Sequence, residues 1–284
     1  VEAGRNAVAD YLRKRNEAAV VESSKEHGPF YKITYNVPEN SRLFILAEDD
    51  KTARWIKASL KGTTYKGKIK VNGEVPPLDL SSYDYIIMVR KGYRPEKLSP
   101  EWLIELLQCL QPVDNHVAAP AVYDKEGNVY HAGYCFSRHW EEKIRPLYRN
   151  VPKNESGYMN RLEFRQNVSL LGGAVLAVKY ETYNIWINDN YDKIQKRWKS
   201  YSMWSDQAWF SICFTAQKSF GDCVVSPYAP FICRSQVNDN EYSVVRSSEK
   251  DWKKFMNEWK DILNGHDACF NEGMRIFGKY YMMF

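Results

Sequence analysis

The chain has 284 residues, 44% hydrophobic and 26% charged, with a formal net charge of +5. That length suits one large α/β domain with a sizeable core or two small ones, and the composition excludes an intrinsically disordered chain. The positive charge is spread along the sequence, so it suits an anionic partner such as a nucleotide diphosphate or a lipid phosphate and falls short of a nucleic-acid binder's basic stripe.

The longest apolar runs, such as Tyr85–Val89 and 170–178, are too short to span a bilayer. No basic, apolar leader opens the sequence, and Val1 stands already in helical text, so a piece of a longer protein is expected. Cys109, Cys135, Cys213, Cys223, Cys233 and Cys269 follow no CxxC spacing. Reduced thiols in a cytosolic protein are therefore expected, and a zinc site is not.

In chain order, residues 3–15 read as a helix, with Val8 and Leu12 on one face. A polar stretch and a short alternating strand, 30–35, lead to a break at Pro38, so 1–40 is expected to be a flanking arm. The main domain, 41–284, opens with the buried-strand run Leu43–Ala47 and the acids Glu48, Asp49 and Asp50. These acids suit a solvated loop and helix start better than a metal site. A helix carrying Ala53, Ile56 and Leu60, and a strand over 68–71 ending at Asn72-Gly73, complete a strand–helix–strand unit of a parallel sheet.

Tyr85–Val89 is the next buried strand and ends in Arg90-Lys91-Gly92. Ser99 is expected to cap a helix with Pro100 at its first position and Leu103, Leu106, Leu107 and Leu110 on one face. A strand over 117–123 turns at 124–128 and returns over 129–134, and residues 141–160 read as a long polar loop. Residues 170–178 read as a buried strand or the end of one, in which Gly172 and Gly173 leave room for a backbone or ligand to come close. An Asn/Asp-rich turn is expected at 188–191 and a helix over 206–217, with Asp206 in its first turn. Cys223-Val224-Val225 reads as a short strand stopped by Pro227. Trp252, Phe255, Met256, Trp259 and Leu263 mark a last amphipathic helix ended by Gly265.

Several of these segments, taken together, resemble bacterial family-2 glycosyltransferases of the O-antigen or rhamnan surface-polysaccharide kind. They are YIIM…LSPEWLIELL (85–107), VAAPAVYDKEGNVYHAG (117–133), GYMNRLEFRQNVSLLGGAVLAVK (157–179), WSDQAWFSICFTAQKSFGDCVVSPYAPFICR (204–234) and WKDILNGHDACFNEGM (259–274). The resemblance implies an α/β GT-A fold, a Rossmann-like mixed sheet flanked by helices. It also implies inverting transfer of a sugar from a nucleotide-diphosphate donor to a glycan hydroxyl. In that reading Asp206 is the catalytic base, Gly172 and Gly173 floor the donor sugar, and Arg90, Lys91 and Arg234 hold the diphosphate. Trp204 and His131 lie on the acceptor side, and Trp209 is expected in the core.

The family's DXD motif falls here on Val89-Arg90-Lys91-Gly92, which has no carboxylate, so a divalent metal is not expected. The acid after the second strand is missing, and the segment between Asn72 and Tyr83 is short for a nucleotide pocket. The alternative that follows is an inactive pseudo-glycosyltransferase serving as a glycan-binding or assembly module. A further alternative is a glycan groove near Tyr148, Tyr158, Trp186 and Trp198. Expected partners are a glycan or lipid-linked glycan and other domains of a larger polysaccharide-synthesis protein, without nucleic acid. The expected location is cytoplasmic, at the inner face of a membrane through the parent protein.

Overall fold

The computed structural model describes residues 2–23, 30–61, 63, 69–72, 79–141, 143–196, 203–234, 248–270, 274–277 and 280–283. The first elements are α1 (Glu2–Lys14), the antiparallel pair β1 (Ala19–Ser23) and β2 (Tyr31–Tyr35), then β3 (Leu43–Ala47), α2 (Asp50–Ser59) and β4 (Ile69–Asn72). Next come β5 (Tyr85–Val89), β6 (Tyr93–Pro95), α3 (Glu101–Cys109), β7 (Asn115–Tyr123), β8 (Val129–His131), β9 (Tyr134–Phe136) and β10 (Ile144–Pro146). The chain continues through β11 (Gln166–Val168), β12 (Val175–Lys179), α4 (Tyr180–Lys196), α5 (Asp206–Ser219) and β13 (Asp222–Cys233). It closes with α6 (Glu249–Glu258), α7 (Lys260–Leu263), β14 (Met274–Phe277) and β15 (Tyr280–Met283).

The main sheet runs β11–β13–β7–β12–β5–β3–β4, with β6 on β13 and β8 on β7. One parallel group, β4–β3–β5, and another, β7–β13, meet at β12, which is antiparallel to both β5 and β7. This is the mixed sheet flanked by helices that the sequence leads one to expect. Strands buried on both faces must be apolar at every position, and the two-residue alternation then divides them between two layers. Phe44, Leu46, Ile86, Met88, Leu176 and Val178 pack on one side with Phe210 and Phe214 of α5 and Phe255 of α6. Leu43, Ile45, Ile87, Val89, Val175 and Ala177 pack on the other with Ile56 of α2 and Leu103, Leu106 and Leu107 of α3.

Several local expectations are corrected. The run 170–178 is not one strand: β12 starts only at Val175, because Gly173 turns the chain with φ +85°. The residues read as a turn at 188–191 lie inside α4, where Tyr183, Trp186 and Ile187 are buried and Asn190 Nδ2 donates to the Trp186 carbonyl at 2.8 Å. That bond satisfies a helix-breaking side chain inside the helix. Pro100, not Ser99, is the N-cap of α3, with no side-chain cap bond; the Ser99 hydroxyl lies 3.4 Å from Glu101 Oε2.

β13 continues through Pro227 and Pro230, because the register shift between Ser226 and Phe231 relieves the ladder of the missing N–H groups. The return after 124–128 splits into β8 and β9, which pair with different strands, and residues 141–160 contain β10 and a 3-10 turn at Tyr158–Asn160. Gly73 and most of the short segment before Tyr83 lie outside the described residues. No helix among the described residues is long and apolar enough to cross a membrane.

The N-terminal elements pack on the α3 side. Arg165 donates to both Glu105 oxygens at 2.6 and 2.7 Å, to Gln108 Oε1 at 2.8 Å and to the Ile33 carbonyl at 2.8 Å. Ser226 Oγ donates to Glu105 Oε1 at 2.5 Å. Arg15 reaches Asp114 at 2.7 Å. Removing one partner of a buried, hydrogen-bonded charge pair strands the other. Glu105→Ala should therefore cost about 3–5 kcal/mol, read as a lower urea midpoint; a midpoint within error of the parent would show that Glu105 does not hold this contact.

Candidate functional site

Sheet register brings the site together. Val175 pairs with Val89, so the chain before β12 runs alongside the residues after β5, and Arg90 N–H donates to the Ala174 carbonyl at 2.9 Å. Cys233 pairs with Tyr93, and Arg234 N–H donates to the Gly92 carbonyl at 2.7 Å. β3 and β5 are parallel and end together, so Glu48 and Asp49 emerge beside Arg90 and Lys91. Open α/β sheets bind ligands beyond such carboxyl ends. A cleft of about 570 Å³ lies here, within the size range of small-molecule sites.

The cleft is lined by cations Lys51, Arg90, Lys91, Arg94 and Arg234, acids Glu48 and Asp49, and the rings of Trp55, Tyr93 and Trp204. Lys91 Nζ pairs with Glu48 Oε1 at 3.1 Å, and Lys91 N–H donates to Glu48 Oε2 at 3.0 Å. Asp49 Oδ1 accepts the Thr52 N–H at 2.7 Å as the N-cap of α2. Among the described residues no ion pair engages Lys51, Arg94 or Arg234.

Behind the cleft wall lies a buried ion pair. Ser205 caps α5, which places Asp206 in its first turn, fully buried. Arg90 Nη1 donates to Asp206 Oδ1 at 2.6 Å, and Gly173 N–H donates to the same oxygen at 3.3 Å. The Arg90 guanidinium lies 4.1 Å from the Trp209 ring centre. Trp209 is in the core, as expected, but it also carries this cation. Arg90 Nε and Nη2 have no hydrogen-bond partner among the described residues.

The glycine pair has a steric cause in this arrangement. A Cβ on Gly172 would stand 2.8 Å from Asp206 Oδ1, and one on Gly173 would run into His131 Nε2. The close approach is made by protein groups, the Asp206 carboxylate and the His131 ring. His131 is 1% exposed, and neither ring nitrogen has a partner among the described residues. Burial first, then the charges of Arg149 and Arg90, push its pKa down to about 3.

The structure thus joins Arg90, Asp206, Gly172, Gly173 and His131 in one buried cluster, and puts Lys91, Arg234 and Trp204 on the cleft with Arg90. Composition and spacing did not single out Lys51, Arg94, Trp55 and Tyr93; only register reveals them. Of the aromatic groove, Trp186 and Tyr148 are buried in the core and Tyr158 is half-buried, while Trp198 lies outside the described residues.

The metal implied by the family resemblance does not fit these residues. Glu48 is tied to Lys91, Asp49 caps a helix and Asp206 is tied to Arg90. The described residues contain no group of three His, Cys, Asp or Glu side chains that could hold a metal ion.

No family model matches the chain, and no curated protein matches it. Among solved structures, the chain is similar to GalNAc-T7, crystallised with UDP, GalNAc and Mn2+, at 10% identity and a TM-score of 0.44. That match covers 85% of this chain and 53% of the other, so the chain spans about half of that protein's length.

Two predictions follow from the buried cluster. Gly173→Ala should cost about 2–4 kcal/mol from overpacking and positive-φ strain, and His131→Ala in the same chain should recover part of it, as urea titrations of both will show. The folded pKa of His131 lies below its ordinary 6.5. The stability tied to its neutral form is therefore complete above pH 6.5 and is lost as pH falls towards 3. Its slope reaches up to about 1.4 kcal/mol per pH unit. His131→Asn should lack that slope between pH 6.5 and 4.5; equal slopes in parent and variant would refute this account.

Proposed function

We propose that this chain is a GT-A-type glycosyltransferase domain whose cleft takes the diphosphate of a nucleotide sugar on side-chain cations, without a metal ion. The observation that carries the reading is the cleft at the ends of β3 and β5, where five cationic side chains outnumber two acids and aromatic rings stand beside them. Arginine and lysine side chains can neutralise a leaving diphosphate, and aromatic walls suit a base or sugar. The sequence resemblance supplies the reaction class. An acceptor oxygen bonds to the anomeric carbon as its bond to the diphosphate breaks, with inversion, and Asp206 takes the hydroxyl proton. The acceptor is a glycan or lipid-linked glycan, and the setting is bacterial surface-polysaccharide synthesis within a larger protein at the inner face of a membrane.

One observation favours a second reading, nucleotide or glycan binding without transfer. A base must come within hydrogen-bond reach of the acceptor oxygen. Asp206 is fully buried, and one of its oxygens already accepts from Arg90 and Gly173.

Calorimetric titration with UDP, GDP and dTDP, with and without manganese, tests both readings. Metal-independent binding is expected, weakened roughly 10- to 100-fold in a Lys91→Ala, Arg234→Ala variant through loss of charged hydrogen bonds. Absence of binding to every nucleotide in both conditions would overturn the nucleotide-sugar reading. Binding without release of nucleoside diphosphate from UDP-, GDP- and dTDP-sugars would select the second reading over the first.

A further inference from the structure

Arg90 stands apart from the other cations of the cleft. It is 2% exposed, and its charge is offset by Asp206 through one nitrogen only. The two nitrogens left over, Nε and Nη2, form one edge of the planar guanidinium, and both are buried without a partner among the described residues. Burying polar N–H groups unsatisfied is costly, and most buried polar side-chain atoms have a partner. Two parallel N–H donors on a rigid plane match the oxygens of a phosphate or carboxylate. The guanidinium is held by Asp206 at 2.6 Å on the third nitrogen and by the Trp209 ring, whose centre lies 4.1 Å away.

We propose that the Nε–Nη2 edge of Arg90 is a pre-set bidentate seat for a phosphate oxyanion at the back of the cleft. Asp206 acts there as the positioning residue that fixes the guanidinium. The inference rests on the reading above in taking that oxyanion to be part of the donor's diphosphate. The seat supplies hydrogen-bond geometry more than net charge, because Asp206 offsets Arg90. Attraction comes from the rim cations Lys51, Arg94 and Arg234. Both nitrogens are sealed from solvent, so the seat fills only when side chains of the cleft wall yield to the ligand.

The test uses inorganic pyrophosphate and the unaltered chain first. The Nε–H resonance of Arg90, assigned by its loss in Arg90→Lys, should shift on pyrophosphate addition. Calorimetry should show Arg90→Lys, which keeps the charge but not the fork, weakening pyrophosphate binding at least about tenfold. Asp206→Asn keeps the shape and removes the offsetting charge, so it should tighten pyrophosphate binding several-fold. An unmoved Arg90 Nε–H at saturation, in the unaltered chain, would overturn the proposal. Pyrophosphate seated on Arg90 with no gain in affinity from any attached nucleoside would keep the seat and remove the nucleotide-sugar reading. Nucleoside diphosphates binding with the Arg90 resonance unmoved would do the reverse.

Discussion

A single buried ion pair, Arg90 with Asp206, organises the centre of this molecule. Its partners are 116 positions apart, and neither is stable without the other in an interior that penalises lone charge. Around the pair the geometry is set by exclusion. Gly172 gives up a side chain so that the carboxylate can approach, Gly173 does the same for the His131 ring, and Trp209 provides a flat face for the guanidinium. Breaking such a pair by removing one partner is strongly destabilising, because it leaves an uncompensated buried charge.

The sheet explains why this placement occurs at a cleft. β12 runs against the direction of β5 and β7, so its start lies beside the carboxyl end of β5. The turn at Gly173 therefore meets the basic loop after β5. α5 then presents its N-terminal turn, and the cap at Ser205 orients Asp206 towards that meeting point. Two parallel groups joined by one antiparallel strand bring a loop floor, a helix start and a charged rim to the same edge.

Much of the scaffold was legible in the sequence because it follows from local periodicity. The strands Leu43–Ala47 and Tyr85–Val89 and the start of α5 at Asp206 were read where the structure has them. α4 was not read, because Asn and Asp near residue 190 signal a turn locally, whereas a bond back to the Trp186 carbonyl ties Asn190 into the helix. The glycine pair announced a close approach but could not say of what. His131 and Asp206 fill that space by tertiary contact, and no spacing rule links them to residue 173. Arg90 and Lys91 stood out as basic residues after a strand, yet nothing in sequence separates the buried, carboxylate-bound Arg90 from the exposed Lys91. Lys51, Arg94 and Arg234 converge only through strand pairing, a long-range property.

The contact between Gly173 and His131 also makes the two positions interdependent in size. With the imidazole in its present position, a Cβ at 173 would collide with it, so a side chain at 173 and this placement of the histidine at 131 exclude each other. The two positions thus share one volume, and a smaller residue at 131 is the change that would first make room for a side chain at 173.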